Sequence, residues 1–388
     1  MPLTQLHVSG YRSVRDLKLP LHQVNVITGG NGTGKSNLYQ ALMLVARAAE
    51  GQFARAIGEE GGTPSVLWAG GERIRYTRKL PVKRFCLGVK TDSFDLNFAV
   101  GLPSPSSLPP GRSLFGSDPE VKEESLSLRT GAKSVLMLDR RGPTVFLRNS
   151  EGKMDEYAFA LLKHESVLPQ IVDPHRYPEV HLTRRALLSW RFYHQFRTDA
   201  NSPLRFPQIG VQTNVLSQDG SDLAAALETI VEIGDERALA EIVASALRGA
   251  RPRIEAQGTL FSVSLEVPGL LRPLHAREFS DGQLRFLCLC AALLSPRPPS
   301  LIALNEPETS LHPDLYGPLA QLIARASRTS QVWVTTHARP LAEKIAEQCN
   351  TTPVELTLVE GETWRVGDPN TPRRPHQRLH FEDKEEAE

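Results

Sequence analysis

Eight consecutive residues, Gly29-Gly30-Asn31-Gly32-Thr33-Gly34-Lys35-Ser36, combine glycines, one lysine and one hydroxyl at a spacing suited to holding phosphate. Glycines let the backbone turn its N–H groups inward around an anion, and a helix opening at Lys35 adds its positive end. Lys35 is placed to meet the β and γ phosphates of a nucleotide, and the Ser36 hydroxyl to help hold Mg²⁺. The candidate nucleotide contacts are Gly29, Asn31, Gly32, Thr33, Gly34, Lys35, Ser36 and Asn37. A phosphate loop serves kinases, GTPases and helicases alike, so residues far down the chain must decide the chemistry.

Three later clusters supply candidates. Phe279-Ser280-Asp281-Gly282-Gln283 precedes the apolar run Leu284 to Leu294. A serine and a glycine at a helix start can offer a hydroxyl, backbone N–H groups and the helix dipole to an anion, although Ser280 also suits a plain N-cap. Leu301-Ile302-Ala303-Leu304 reads as a buried strand followed at once by Asn305-Glu306-Pro307-Glu308. Glu306 is placed to orient or deprotonate a water molecule, with Glu308 as a substitute and helix capping as the plainer role for both. Val332-Trp333-Val334-Thr335-Thr336-His337 is a second buried strand, ending in a histidine.

In this order the motifs resemble those of ABC-type ATPases. Ser280, Gly282 and Gln283 stand where the family writes LSGGQ, Glu306 follows the Walker B strand, Ser310-Leu311-His312-Pro313 is similar to the D-loop, and His337 to the switch histidine. The opening Val8-Ser9-Gly10-Tyr11-Arg12-Ser13-Val14 resembles the start of RecF, SMC and OLD-type ATPases. The resemblance implies ATP and Mg²⁺ as ligands, and two copies that pair around ATP. Each site would then join Lys35 and Glu306 of one chain to Ser280 of the other. It makes Glu306 and His337 the catalytic candidates, and Ser36, Asn305 and the Q-loop candidate Gln170 the metal-side ones. Where the family places an aspartate this chain has Asn305, one negative charge fewer beside the metal, whose carbonyl oxygen can still accept from metal-bound water. No Toprim-like acidic cluster follows, so the nuclease half of OLD proteins is not expected.

These residues need a frame. Leu3 to Val8 alternates as a strand, Tyr11 to Val14 reads as a turn, and Val24 to Thr28 is an apolar run leading into the glycines and a helix from Lys35 to about Ala49. Alternating segments from Val66 to Val100, then Ser125 to Leu128 and Thr144 to Leu147, predict antiparallel strands. Helices are predicted over Leu182 to Phe196 and Asp222 to Ile233, a further strand over Val263 to Val267, and from Glu278 an alternation of helix and strand. Sustained heptads are lacking, so SMC-like coiled-coil arms are not encoded. The expected fold is an α/β ABC-type head with a split core sheet, an antiparallel β subdomain and a helical lid. Residues 1–50 and 261–366 would form the core, 51–260 the insertions, and 367–388 a flexible tail.

The chain has 388 residues, 40% hydrophobic and 23% charged, which is enough for one large domain and excludes wholesale disorder. A formal net charge of +1 gives no global pull toward nucleic acid or membrane, so a DNA contact would need a local patch. Arg73, Arg75, Arg78, Lys79, Lys83, Arg84 and Lys90, with Tyr76 and Phe85 interleaved, form the most basic stretch, which could track a phosphate backbone, although a solvated sheet face is the preferred explanation. Gly101 to Pro119 reads as a surface loop. Cys86, Cys288, Cys290 and Cys349 do not form a disulfide pattern. With no leader and no long apolar span, a cytoplasmic, membrane-free protein is expected, a homodimer with ATP whose partners are DNA or a separately encoded effector. Such a head would serve DNA maintenance or phage defence, or act as a switch that hydrolyses ATP very slowly because of Asn305.

Overall fold

The computed structural model describes residues 2–70, 72–73, 79–80, 83–104, 113–131, 133–369 and 371. At its centre lies a six-stranded sheet in the order Arg191–Tyr193, Leu301–Asn305, Gln331–Thr335, Val24–Gly29, Val354–Val359, Glu362–Arg365. All pairings are parallel except the last. Strands buried on both faces read as continuous apolar runs, as Leu301–Asn305 and Gln331–Thr335 do.

Side-chain alternation along these strands divides the interior into two cores. Val24, Val26, Ile302, Leu304, Val332 and Val334 face one, shared with helices Leu223–Ile233, Asp281–Leu293, Tyr316–Ala326 and Arg339–Cys349. Ile27, Leu301, Ala303 and Trp333 face the other, filled by the phosphate-loop helix Lys35–Glu50 and an eight-stranded antiparallel sheet. That helix buries Leu38, Leu42, Leu44 and Val45 together, and each such side chain contributes about 1.5–3 kcal/mol of burial. The antiparallel sheet runs Met154–Glu156, Thr144–Arg148, Lys133–Arg141, Glu120–Thr130, Phe94–Gly101, Arg84–Thr91, Leu3–Tyr11, Val14–Pro20. Along its strand Phe94–Gly101, Phe94, Leu96, Phe98 and Val100 are all buried in that core. A smaller sheet joins Arg251–Gln257, Leu260–Glu266, Gln208–Ile209 and Leu274–His275.

Two expectations are changed by the structure. The first two strands, Leu3–Tyr11 and Val14–Pro20, join the antiparallel sheet rather than the parallel one. The helix expected over Leu182 to Phe196 is Pro178–Leu188, after which the chain stops and forms the edge strand Arg191–Tyr193. Leu301–Asn305 presents an open edge there, and its parallel backbone bonds outweigh the helical propensity of three residues. Residues 105–112 of the expected surface loop lie outside the described residues, as do Asn370 and 372–388 of the expected tail. Among the described residues no helix is long and apolar enough to cross a membrane.

Candidate functional site

The phosphate loop follows strand Val24–Gly29 and ends in Gly34, the N-cap of the Lys35–Glu50 helix. Gly34 has φ 99°, and a Cβ there would lie 2.2 Å from Thr363 Oγ1, so only glycine lets the loop close at this point. Around it Ser13 Oγ and Thr363 Oγ1 are 2.7 Å apart, and Asn37 Nδ2 donates to Ser13 Oγ at 2.8 Å. Asn37 thus gives its amide to bracing the loop. Lys35 is buried, with Nζ donating to the Gly29 and Gly30 carbonyls at 2.8 Å each. Burial draws its pKa below the ordinary lysine value, opposed by the nearby carboxylates of Glu306 and Glu308. Thr33 Oγ1 donates to the Gly30 carbonyl at 2.9 Å, while Asn31, Gly32 and Ser36 are exposed.

Across the sheet's carboxyl edge stands the turn after Leu301–Asn305. Glu306 has φ 48°, a left-handed conformation that costs a residue with a side chain about 1–2 kcal/mol. Its N–H donates to the Thr335 carbonyl at 2.8 Å. Glu308 is buried, and its Oε1 accepts from Thr336 Oγ1 at 2.5 Å, His337 N at 3.0 Å and Ala338 N at 3.2 Å. His337 Nδ1 lies 3.3 Å from Glu308 Oε1 and 3.6 Å from Glu306 Oε1. The two glutamates therefore differ in kind. Glu308 anchors the loop that carries His337, whereas the Glu306 carboxylate is 36% exposed and free to meet a water molecule.

Asn305 is buried and held at both ends of its amide. Nδ2 donates to His194 Nδ1 at 2.6 Å, and Oδ1 accepts from Thr335 Oγ1. That leaves the carbonyl oxygen one further lone pair. Beside it Arg285, from helix Asp281–Leu293, donates to the Glu306 carbonyl at 2.9 Å and the Pro307 carbonyl at 3.3 Å.

Ser280 caps that helix. Its Oγ accepts from Gln283 N at 3.2 Å, and Gln283 Oε1 accepts from Ser280 N at 2.8 Å, a reciprocal capping box. Arg205 fastens the approach by donating to the Phe279 carbonyl at 2.7 Å and to Asp281 Oδ1 at 2.8 Å. A Cβ on Gly282 would sit 2.8 Å from the Ser310 carbonyl, so the helix start touches the turn after Glu306 closely. Ser280 is exposed, and among the described residues no hydrogen bond joins Ser280, Gly282 or Gln283 to the phosphate loop of the same chain.

Lys35, Glu306, Glu308, His337 and Asn305 are thus gathered at one edge, and Gln170 is not among them. Gln170 Oε1 accepts from Leu162 N at 2.7 Å and Nε2 donates to the Ser166 carbonyl at 2.8 Å. Its neighbour Pro169 packs against Gly51, past the far end of the 16-residue phosphate-loop helix, roughly 24 Å along the helix axis from Ser36. That distance excludes it from a metal shared with Ser36 and Asn305. At the sheet edge stands His194 instead, just beyond strand Arg191–Tyr193, with Nδ1 against the Asn305 amide. The sequence pattern reads this strand as helix and so hides His194; the crevice of an α/β sheet at the carboxyl ends of its strands is the signal that finds it once the strand is known. Arg285 had a signal of its own, a lone cation inside the apolar run Leu284 to Leu294. Of the basic stretch, Arg75 and Arg78 and the side chains of Arg73 and Lys79 lie outside the described residues. Lys83 is exposed, and Arg84 pairs with Glu123 at 2.8 Å. Cys288 and Cys290 are buried in the helix, where burial pushes both thiols far above their ordinary pKa.

Comparison with known proteins places this geometry in context. The sequence model of a family described as "AAA domain, putative AbiEii toxin, Type IV TA system" matches residues 24–341. Among solved structures the chain is similar to an SMC head bound to the C-winged helix domain of ScpA, at 13% identity, TM-score 0.52, covering 94% of this chain and 98% of that one. It is also similar to an SMC head with an extended coiled coil bound to the C-terminal domain of ScpA, derived from Pyrococcus furiosus, at 12% identity, TM-score 0.50, covering 94% and 96%. At these identities the likeness is one of fold. No curated protein matches the sequence.

Proposed function

The chain belongs to the AAA-domain family whose model spans residues 24–341, with the fold of an SMC-type ATPase head, and from that premise we propose a Mg²⁺-dependent ATPase that works as a pair of copies. The observation that carries this reading is the convergence of Lys35, Glu306 and His337 on one sheet edge while Ser280 faces outward from the same chain. A single copy holds a phosphate cradle and a water-orienting carboxylate. Its signature serine sits at an exposed helix N-terminus, able to meet a second copy's nucleotide.

In this reading the backbone of the phosphate loop cradles the phosphates, and Lys35 exchanges the Gly29 and Gly30 carbonyls for phosphate oxygens. Glu306 orients and deprotonates the attacking water, and His337 reports on the terminal phosphate. The metal side fits a hard cation of modest affinity: Ser36 offers a hydroxyl and Asn305 one neutral carbonyl oxygen. Bound Mg²⁺ would neutralise charge developing on the phosphates.

The family's description, with its toxin and TA system, and the ScpA segments on the similar heads favour a protein effector as the coupled target, in phage defence or DNA maintenance. A second reading is an ATP-dependent switch that hydrolyses very slowly, favoured by the neutral Asn305. Ser280→Arg tests the paired arrangement by light scattering with ATP. The variant should bind ATP as a monomer yet fail to pair. A wild type that never pairs, even with the Glu306→Gln change and ATP, would end the model.

A further inference from the structure

Arg285 lies one turn into the helix that Ser280 caps, and it is buried among Leu284, Phe286 and Leu287. A guanidinium in such a place is costly unless its hydrogen bonds repay it. Nη2 donates to the Glu306 carbonyl at 2.9 Å and the His194 carbonyl at 3.5 Å, and Nε donates to the Pro307 carbonyl at 3.3 Å. Each acceptor belongs to a catalytic or metal-side segment. Glu306 carries the part-exposed carboxylate beside His337, Pro307 lies in the turn between the two glutamates, and His194 grips Asn305.

The same helix start meets the same turn a second time, where Gly282 packs on the Ser310 carbonyl, at a residue with φ 64°. Glu306 itself is left-handed, and its carbonyl also accepts from Thr309 N at 3.1 Å. A strained peptide keeps its orientation only while its surroundings fix it. Among the described residues, Arg285 is the one side chain whose hydrogen bonds tie this peptide to the helix that Ser280 caps. Any displacement of the helix start therefore turns the peptide that aims the Glu306 carboxylate.

We propose that Arg285 is a positioning residue that couples the two nucleotide sites of a pair, setting the aim of Glu306 according to whether a second copy's phosphate is docked at Ser280. This rests on the paired reading above. The phosphate binds only the docked position of the helix, which is the differential affinity that coupling requires. A planar fork with several donors is suited to the task, and lysine cannot replace it.

The test compares wild type, Arg285→Ala and Arg285→Lys in steady-state turnover against ATP and against protein concentration, with ATP affinity measured separately by calorimetry. Wild type should show turnover that rises with protein concentration and a sigmoidal ATP dependence. Arg285→Ala should keep its ATP affinity, lose about a hundredfold in turnover and become hyperbolic in ATP. Arg285→Lys should remain defective, whereas millimolar guanidinium should restore turnover to Arg285→Ala but not to Glu306→Gln. Wild-type sigmoidal turnover in Arg285→Ala, or full rescue by lysine, would overturn the coupling role while leaving the paired reading intact. Turnover of wild type that is independent of protein concentration would overturn the paired reading, and this inference with it. Should Arg285→Ala fail to fold, Arg285→Lys carries the same comparison.

Discussion

The two sides of the site are built on opposite plans. The phosphate loop is closed largely by its own chain: Lys35 folds onto Gly29 and Gly30, Thr33 onto Gly30, and Gly34 supplies the one conformation that lets the helix begin. The turn at residues 305–310 is held from outside. His194, Thr335, Arg285 and the 336–338 segment each grip it from another element, and two of its residues are left-handed without being glycine. A self-contained loop binds whatever its backbone fits. A turn braced from four directions can be changed by any of them, which is what the proposed coupling of Glu306 to a second copy requires.

Lys35→Ala has the broadest effect, since every later step needs bound ATP, and it falls on the self-contained side. The phosphates lose their dedicated cation, and a charge-assisted contact of about 3 kcal/mol corresponds to roughly a hundredfold in affinity. Calorimetry that finds ATP affinity unchanged would remove the phosphate-loop assignment.

Glu306→Gln tests the braced side. The amide keeps the shape of the turn but cannot take a proton, so turnover should fall by about 10²–10⁴ while ATP binding and pairing persist. A variant that still turns over at half the wild-type rate would move the base to another residue.

Asn305→Asp is expected to act more mildly. His194 Nδ1 now accepts a hydrogen bond from the Asn305 amide; an aspartate oxygen in that place needs His194 to carry a proton on Nδ1 instead. The added charge should tighten Mg²⁺, and the switch reading expects turnover to rise. The ATPase reading expects a small loss, because the grip of His194 is disturbed. Turnover against Mg²⁺ separates them. A profile identical to wild type would take Asn305 away from the metal.

Gln170→Ala should change least. Its hydrogen bonds to Leu162 and Ser166 serve the loop, so about 1 kcal/mol of stability is at risk, with no shift in the Mg²⁺ dependence of turnover. A weaker response to Mg²⁺ would put the residue back at the site.

Sequence alone determined the parts of this protein whose physics is local. Glycines at fixed spacing, a lysine and a hydroxyl, apolar strands before Asn305 and His337, and a serine with Gln283 three residues on each declare a loop, a strand or a capped helix within a few positions. The order of those pieces carried the fold. Which residues stand beside Glu306 was left to tertiary structure. Three residues of edge strand, Arg191–Tyr193, carry too little periodicity to announce themselves, yet pairing with Leu301–Asn305 brings His194 to Asn305 across 111 positions of chain. Gln170 shows the converse: a glutamine in a plausible loop is placed by the course of the backbone, here at the wrong end of the phosphate-loop helix. Long-range pairing is decided by which open edges and buried donors meet after collapse, and no window of sequence contains both partners.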